Sequence, residues 1–128
     1  MATPKRPPLV AVLIARDPAM REAIVANRKR ITIREGYRLY KPGMTVMICC
    51  HLEPWCVQAD IVAVRHCQLS KVVQEEWEAD GYVSKTQMAE DLRRFYPKIT
   101  WSSPVTIIKW ENVRGQLVDD YNQEHILL

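Results

Sequence analysis

Lys29 and Thr32 are a candidate pair of general base and nucleophile. They lie three positions apart within residues 28–34, a stretch that alternates apolar and polar side chains. A threonine hydroxyl becomes a nucleophile only when a base removes its proton. Lys29 could act as that base, because its cationic neighbours Arg28 and Arg30 disfavour the charged form of its amine. The same spacing also occurs in ordinary strands with a solvated lysine, so the pattern alone leaves both interpretations open.

An acid that protonates a leaving amine would complete such a site. Candidate carboxyl groups follow at the end of a predicted acidic helix over residues 70–79, which we expect to stop at Asp80-Gly81. The candidates are Glu76, Glu78 and Asp80. The hypothesis therefore requires this helix end to fold back onto the strand that carries Thr32.

The pattern of apolar residues predicts the strands and helices that carry these residues. Strands are predicted over residues 9–15, 28–34, 44–51, 56–65 and 104–111. Helices are predicted to begin at Asp17-Pro18 and to stop near Asn27, to cover residues 70–79, and to run from Ser84 to Pro97. Short connections between consecutive strands favour an α+β fold, with a small curled sheet or open barrel and helices on one side.

The size of the chain bounds its organisation. With 128 residues, of which 48% are apolar, the sequence predicts one globular domain. We expect a loose leader over residues 1–8, a domain over residues 9–111 and a tail over residues 112–128. The apolar run near the N-terminus is too short for a membrane span, and we expect a cytoplasmic protein.

Charge is distributed unevenly along the chain. The net charge is only +3, yet six basic residues lie within residues 28–41 and six acidic residues within residues 75–91. Tyr37 and Tyr40 interleave with the basic residues, a combination that suits base stacking and phosphate contact in RNA. Solvated faces of an ordinary domain are the alternative interpretation.

The cysteines and histidines suggest a metal site only at first sight. Cys49, Cys50, Cys56 and Cys67 lie close to His51 and His66, but their spacing differs from that of zinc ligands. Adjacent strand residues such as Cys49 and Cys50 also point to opposite faces. We therefore predict no metal, and reduced cysteines that act as small core residues.

Three short motifs occur in order along the chain: residues 29–34 (KRITIR), residues 41–43 (KPG) and residues 95–97 (FYP). Together they resemble the ASCH domain family, and within it the small bacterial N(4)-acetylcytidine amidohydrolases. The resemblance covers roughly residues 9 to 111. It implies a PUA-like β-barrel, here a mixed or mostly antiparallel curled sheet or open barrel with three helices.

The resemblance also implies roles for individual residues. In that branch of the family a lysine, a threonine and a glutamate carry the reaction. The lysine corresponds to Lys29, the threonine to Thr32 and a substrate-binding arginine to Arg34. Asp80 is the best match to the glutamate, and Glu78 is the second choice.

The sequence departs from the family pattern beside these residues. Asn27 stands where the family has glycine, and Arg30 stands where it has a small threonine. Arg28, Arg30 and Tyr37 join Arg34 as predicted substrate-binding residues.

Two functions follow from these expectations. The first is an amidohydrolase without a cofactor, in which a lysine-activated threonine removes the acetyl group of N(4)-acetylcytidine. The second is a non-catalytic RNA-binding or regulatory module that uses the basic, aromatic segment. A ribonuclease is less well supported, since no histidine accompanies the basic motif. The predicted partner is a modified nucleoside or RNA.

Overall fold

The computed structural model describes residues 10–15, 18–50 and 54–118. In this part of the chain the elements follow the predicted order: β1 Val10–Ala15, α1 Pro18–Val25, β2 Ile31–Glu35, β3 Thr45–Cys50, β4 Trp55–Gln68, α2 Gln74–Ala79, α3 Lys85–Phe95 and β5 Pro104–Val118. A short 3-10 helix, Leu69–Lys71, precedes α2. No helix among these elements has the length and apolar character needed to cross a membrane.

The five strands form one curled sheet in the order β1-β3-β4-β5-β2. Only β1 and β3 run parallel, and the other neighbours are antiparallel, which confirms the predicted mixed, mostly antiparallel α+β fold. The register between the long strands β4 and β5 shifts at three points between Cys56 and Ala63. Such irregularities increase local twist, so they help to curl the sheet into a half-barrel.

Two apolar clusters fill the fold. One packs Ile24 of α1 against β3, β4 and the Trp110 end of β5. The other packs the buried face of α3 against Ile31 and Ile33 of β2. The predicted burial of Ile31 and Ile33 is therefore confirmed, but the predicted alternation is wrong at Thr32, which is buried between them.

Several element boundaries differ from the predicted ones. β2 begins at Ile31 rather than at Arg28, because the preceding residues complete the end of α1. The predicted helix over residues 70–79 is divided into the 3-10 helix and α2. β5 extends past the predicted end at Glu111 to Val118, because its C-terminal part pairs with the start of β4.

Three predictions fall on segments that lie outside the described residues. These are the leader at residues 1–8, the Asp17 cap and the polar part of the tail beyond residue 118.

The prediction of four reduced cysteines is wrong for two of them. Cys49 and Cys56 form a disulfide. They are direct partners in the antiparallel register of β3 and β4, which brings their Cα atoms to 4.1 Å. Cys50 is a buried core residue as predicted, and Cys67 is half-buried beside the α3 cluster.

Candidate functional site

A pocket of about 550 Å³ opens between β2, the turn that follows α2, and one flank of α3. This volume lies within the range of small-molecule sites in proteins. The sequence-predicted residues Lys29, Thr32, Arg34 and Asp80 all line it. The structure therefore brings a candidate base, a candidate nucleophile and a candidate acid to one cavity.

The end of α1 places Lys29. Asn27 adopts a left-handed conformation with φ of 62°. Its N–H donates to the Ile24 carbonyl at 3.1 Å, and the Arg28 N–H donates to the Ala23 carbonyl at 2.8 Å. These are the two hydrogen bonds of a Schellman cap, in which asparagine can replace the usual glycine. The cap turns the chain so that Lys29 enters the pocket wall just before β2.

A second cap of the same kind places Asp80. Gly81 has φ of 104°, and its N–H donates to the Glu78 carbonyl at 2.9 Å. The Tyr82 N–H donates to the Trp77 carbonyl, also at 2.9 Å. This Schellman cap ends α2 at the position predicted from Asp80-Gly81, and it holds Asp80 at the end of the helix.

Lys29 and Asp80 meet in the pocket wall. The Lys29 ammonium donates to the Asp80 carboxylate, and both side chains are only 6% exposed. It also donates to the Asp80 carbonyl at 3.3 Å and to the Ile31 carbonyl at 3.0 Å. The carbonyl groups at the end of α2 favour a cation there. The Trp110 ring lies behind the ammonium, 6.0 Å from Nζ.

Burial raises the pKa of the Asp80 carboxyl, and the nearby negative charge of Asp91 acts in the same direction. Lys29 and Arg34 oppose this shift because their positive charges stabilise the carboxylate. A carboxyl with a raised pKa keeps its proton to a higher pH, which a proton donor near neutral pH requires. Asp80 therefore has the environment of a general acid.

Thr32 lies next to this ion pair. The carbonyl that accepts from Lys29 Nζ belongs to the peptide group that joins Ile31 to Thr32. Thr32 is 4% exposed and pairs with Ile108 across β2 and β5. The sequence predicted an outward-facing threonine between two arginines, and the structure instead places it in a recessed wall. Arg34, two residues along the strand, lines the same pocket.

The flank of α3 supplies the opposite wall, which the sequence-based site did not include. Asp91 and Arg94 line the pocket from this helix. The Tyr82 hydroxyl donates to Asp91 Oδ2 at 2.6 Å, and Arg94 Nη1 lies 3.3 Å from Asp91 Oδ1. Gln87, Asp91 and Arg94 follow the i, i+4, i+7 spacing of one helix flank. This polar stripe beside the buried positions of α3 is visible in the sequence and is the feature that could have indicated the pocket wall.

Solved structures share this architecture. An ASCH domain from Lactobacillus crispatus superposes with a TM-score of 0.66 at 14% identity, covering 80% of this chain and 78% of that one. The ASCH protein of Zymomonas mobilis gives a TM-score of 0.58 at 13% identity, covering 91% and 76%. A protein from Enterococcus faecalis gives 0.60 at 15% identity, covering 77% and 72%.

This chain has the ASCH-domain fold. No family model matches the sequence, and no curated protein matches it either. The likeness is therefore one of backbone architecture, and the pocket chemistry is argued from this chain's own residues.

Four residues considered for the site lie outside the pocket of this ASCH fold. Arg28 is exposed and pairs with Glu22 at 3.4 Å, while the exposed Arg30 is not part of the pocket lining. Glu78, the second choice for the acid, is exposed and accepts from Gln74 Nε2 at 2.7 Å. Glu76, the third candidate, accepts from Arg65 Nε at 2.8 Å and does not line the pocket. Of the three candidate acids, Asp80 is therefore the one that the fold places beside Lys29.

Tyr37 belongs to a different surface of the protein. It lies on the exposed loop between β2 and β3, where its ring centroid is 5.1 Å from that of His66. The buried Thr106 anchors this loop, because its hydroxyl accepts from the Arg38 N–H at 2.8 Å and donates to the Gly36 carbonyl at 2.6 Å. We call residues 36–41 the aromatic loop.

Metal-binding side chains do not converge in the part of the chain that the structure describes. No group of three or more histidine, cysteine, aspartate or glutamate residues there could hold an ion.

Proposed function

We propose that this ASCH-domain protein is an amidohydrolase that removes the acetyl group from N(4)-acetylcytidine, with Thr32 as the nucleophile. The observation that carries the proposal is the contact between Lys29 and Asp80 in the wall of a pocket that Thr32 also lines. The pocket volume suits a nucleoside. The resemblance of residues 29–34 to the amidohydrolase motif supplies the substrate.

The buried pair can prepare both catalytic groups in one step. Transfer of a proton from the Lys29 ammonium to the Asp80 carboxylate gives an amine and a carboxylic acid without changing the total charge. Burial favours this neutral form over two separated charges. The amine is then a base for Thr32, and the acid is a proton donor for the leaving group.

Acyl transfer follows from these roles. Lys29 takes the proton of Thr32 as Oγ1 attacks the acetyl carbonyl, and a tetrahedral intermediate forms. Arg34 stabilises its negative charge. The bond between the acetyl carbon and N4 breaks, N4 takes the proton of Asp80, and cytidine leaves. The acetyl group is now an ester of Thr32.

Hydrolysis restores the starting state. Asp80 accepts a proton from water as the water oxygen attacks the ester carbonyl. The bond to Thr32 Oγ1 breaks, and Lys29 returns a proton to that oxygen. Acetic acid leaves, and the amine and carboxylic acid forms are regenerated for the next cycle.

Incubation of the purified protein with N(4)-acetylcytidine, followed by chromatography of cytidine, tests the proposal. We expect release of cytidine and acetate in equal amounts, and loss of both with Thr32→Val. An acetylated Thr32 peptide should be detectable by mass spectrometry after rapid acid quenching. Absence of turnover at high protein concentration would contradict the proposal.

RNA binding is a second candidate function, favoured by the aromatic loop. Its Tyr37 side chain is 61% exposed, and Arg38 and Lys41 supply positive charge beside it. Exposed aromatic rings next to cations bind single-stranded RNA by stacking and phosphate contact. Titration with a labelled single-stranded RNA at increasing salt tests this, because phosphate-driven binding weakens steeply as salt rises. Lack of binding at low salt would exclude it.

A further inference from the structure

Asp91 connects the wall formed by α3 to the turn that carries the candidate acid. It accepts a hydrogen bond of 2.6 Å from the hydroxyl of Tyr82, which lies two residues after Asp80. Its other carboxylate oxygen lies 3.3 Å from Arg94 of the same helix. Charge-assisted hydrogen bonds of this length are stronger than neutral ones. The Tyr82 side chain is therefore held between the α2 cap and α3.

The Schellman cap joins the turn at residues 80–82 only to α2, which is a short helix. α2 has six residues and no buried side chain. Its C-terminal turn is fixed from one side by hydrogen bonds to the segment before β2, including the Arg30 N–H to the Ala79 carbonyl at 2.9 Å. The bond from Tyr82 to Asp91 fixes the turn from the other side.

We propose that Asp91 is a positioning residue for the reaction: through Tyr82 it holds the turn at residues 80–82 against α3, so that the Asp80 carboxyl stays in contact with Lys29. This inference deepens the proposed amidohydrolase function and rests on it for the catalytic role of Asp80. The positional claim itself concerns the free protein, and it can be tested without substrate.

The charge of Asp91 adds a second effect. Four parts of the chain place charged or titratable groups around the Asp80 carboxyl: the segment before β2, β2 itself, the turn after α2, and α3 with its C-terminal cap. The groups that line the pocket with it are Lys29, Arg34, Tyr82, Glu90, Asp91, Arg94 and Tyr96. Asp91 is the carboxylate among them that raises the pKa of Asp80. Removing its charge therefore favours ionised Asp80.

Two substitutions separate the hydrogen bond from the charge. Asp91→Asn removes the charge but keeps an oxygen that can accept from Tyr82. Tyr82→Phe keeps the charge but removes the donor. Glu90→Gln is the matched control for charge, because it neutralises the neighbouring pocket-lining residue on α3 and leaves Asp91 unchanged.

The first measurement is a carbon-13 NMR titration of the Asp80 side-chain carboxyl in the intact protein, assigned by comparison with Asp80→Asn. In Asp91→Asn we expect the titration midpoint of Asp80 to fall, because a negative charge that raises its pKa is removed. In Glu90→Gln we expect the midpoint of the wild-type protein. In Tyr82→Phe we expect a changed Asp80 carboxyl chemical shift, because the turn has lost its hydrogen bond to α3.

The second measurement is the pH profile of cytidine release. In Asp91→Asn the acid limb should move to lower pH. The Lys29–Asp80 pair is active with one shared proton, and a second protonation, at Asp80, then requires a lower pH. In Tyr82→Phe we expect kcat to fall about tenfold with KM changed less than about twofold, as misplacement of a catalytic group predicts. A rise in KM alone would instead make Tyr82 a substrate contact and overturn the inference.

The outcomes distinguish this inference from the proposed function. If no substrate is turned over but the NMR titration behaves as described, the positioning role holds and the amidohydrolase proposal fails. If cytidine is released but the Asp80 signal in Tyr82→Phe is that of the wild-type protein, the positioning role is wrong, even if Asp91→Asn shifts the Asp80 titration. Circular dichroism of each variant is measured as a control for folding in both experiments.

Discussion

The pocket and the aromatic loop are built from one basic segment, and they differ in every physical property that matters for function. At the pocket end, Lys29 and Thr32 are 5% and 4% exposed. At the loop end, Tyr37 and Leu39 are 61% and 90% exposed. The segment that appears uniformly basic in the sequence is divided by β2 into a buried site and a solvated surface.

The chemical role of a cation in this segment depends on its burial and its partners, and not on its charge alone. Lys29 is deprived of water and touches a carboxylate, so its charge and proton are coupled to Asp80. Arg38 and Lys41 are exposed, so salt screens their attraction to anions in solution. We therefore expect the two regions to respond to different substitutions.

The largest effect is expected from Thr32→Val. Valine keeps the shape and the strand preference of threonine, so the fold should persist, while the nucleophile is lost. We expect cytidine release to fall at least about a thousandfold. Thr45→Val, which changes a strand threonine outside the pocket lining, is the control and should change the rate less than about twofold. Equal rates for both variants and the wild type would remove Thr32 from the mechanism.

The next largest effect is expected on stability. Lys29→Met leaves the Asp80 carboxyl buried without its partner, so the free energy of unfolding should fall by about 3 kcal/mol. Urea denaturation measures this. The double variant Lys29→Met/Asp80→Asn should lose less than the sum of the two single variants, because no charge is then left unpaired.

An exposed ion pair serves as the control for that stability measurement. Arg28→Met breaks the contact with Glu22, whose side chain is 75% exposed, and should change the free energy of unfolding by no more than about 0.5 kcal/mol. A similar loss in Lys29→Met would mean that the pocket pair is as solvated as this one.

Two glycines provide a matched test of the two regions. Gly81 in the α2 cap and Gly36 in the aromatic loop both have positive φ, and a Cβ atom would meet open space at both. Each change to alanine should therefore cost about 1 kcal/mol of stability, from backbone conformation alone. Only Gly81→Ala should also lower cytidine release, by about tenfold, because it disturbs the turn that holds Asp80. Equal rates for both variants would contradict the role of the cap.

The smallest effect is expected at the aromatic loop. Tyr37→Ala removes the exposed stacking surface and should weaken binding of single-stranded RNA about fivefold, with little change in the release of cytidine from the free nucleoside. Fluorescence anisotropy at low salt measures the binding. If the substitution lowers nucleoside turnover instead, the loop and the pocket form one site.

Much of the local structure could be predicted from particular residues. Pro42-Gly43 predicted a turn, and Gly43 indeed has φ of 92°. Ser84 with Gln87 predicted a capping box, and the Ser84 side chain accepts from the Gln87 N–H at 3.0 Å. These interactions join residues within one turn of each other, so their chemistry is legible in a short stretch of sequence.

Pairing across the sheet could not be predicted in this way. The disulfide between Cys49 and Cys56 depends on the register of β3 and β4, which alternation of side chains leaves open. The pocket wall from α3 likewise depends on how that helix packs on β2. A polar stripe beside a buried face could be solvated just as well.

The amino-acid sequence alone predicts the order of the elements, the strand that carries Thr32, and the end of α2 at Asp80-Gly81. Periodicity and capping depend on neighbours along the chain, and they are therefore visible without a fold. Only the tertiary structure decided that Asp80 rather than Glu78 reaches Lys29, and that Tyr37 lies outside the pocket. Those outcomes depend on contacts between residues far apart in the chain, 51 positions for Lys29 and Asp80, which only the packing of helices on the curled sheet can create.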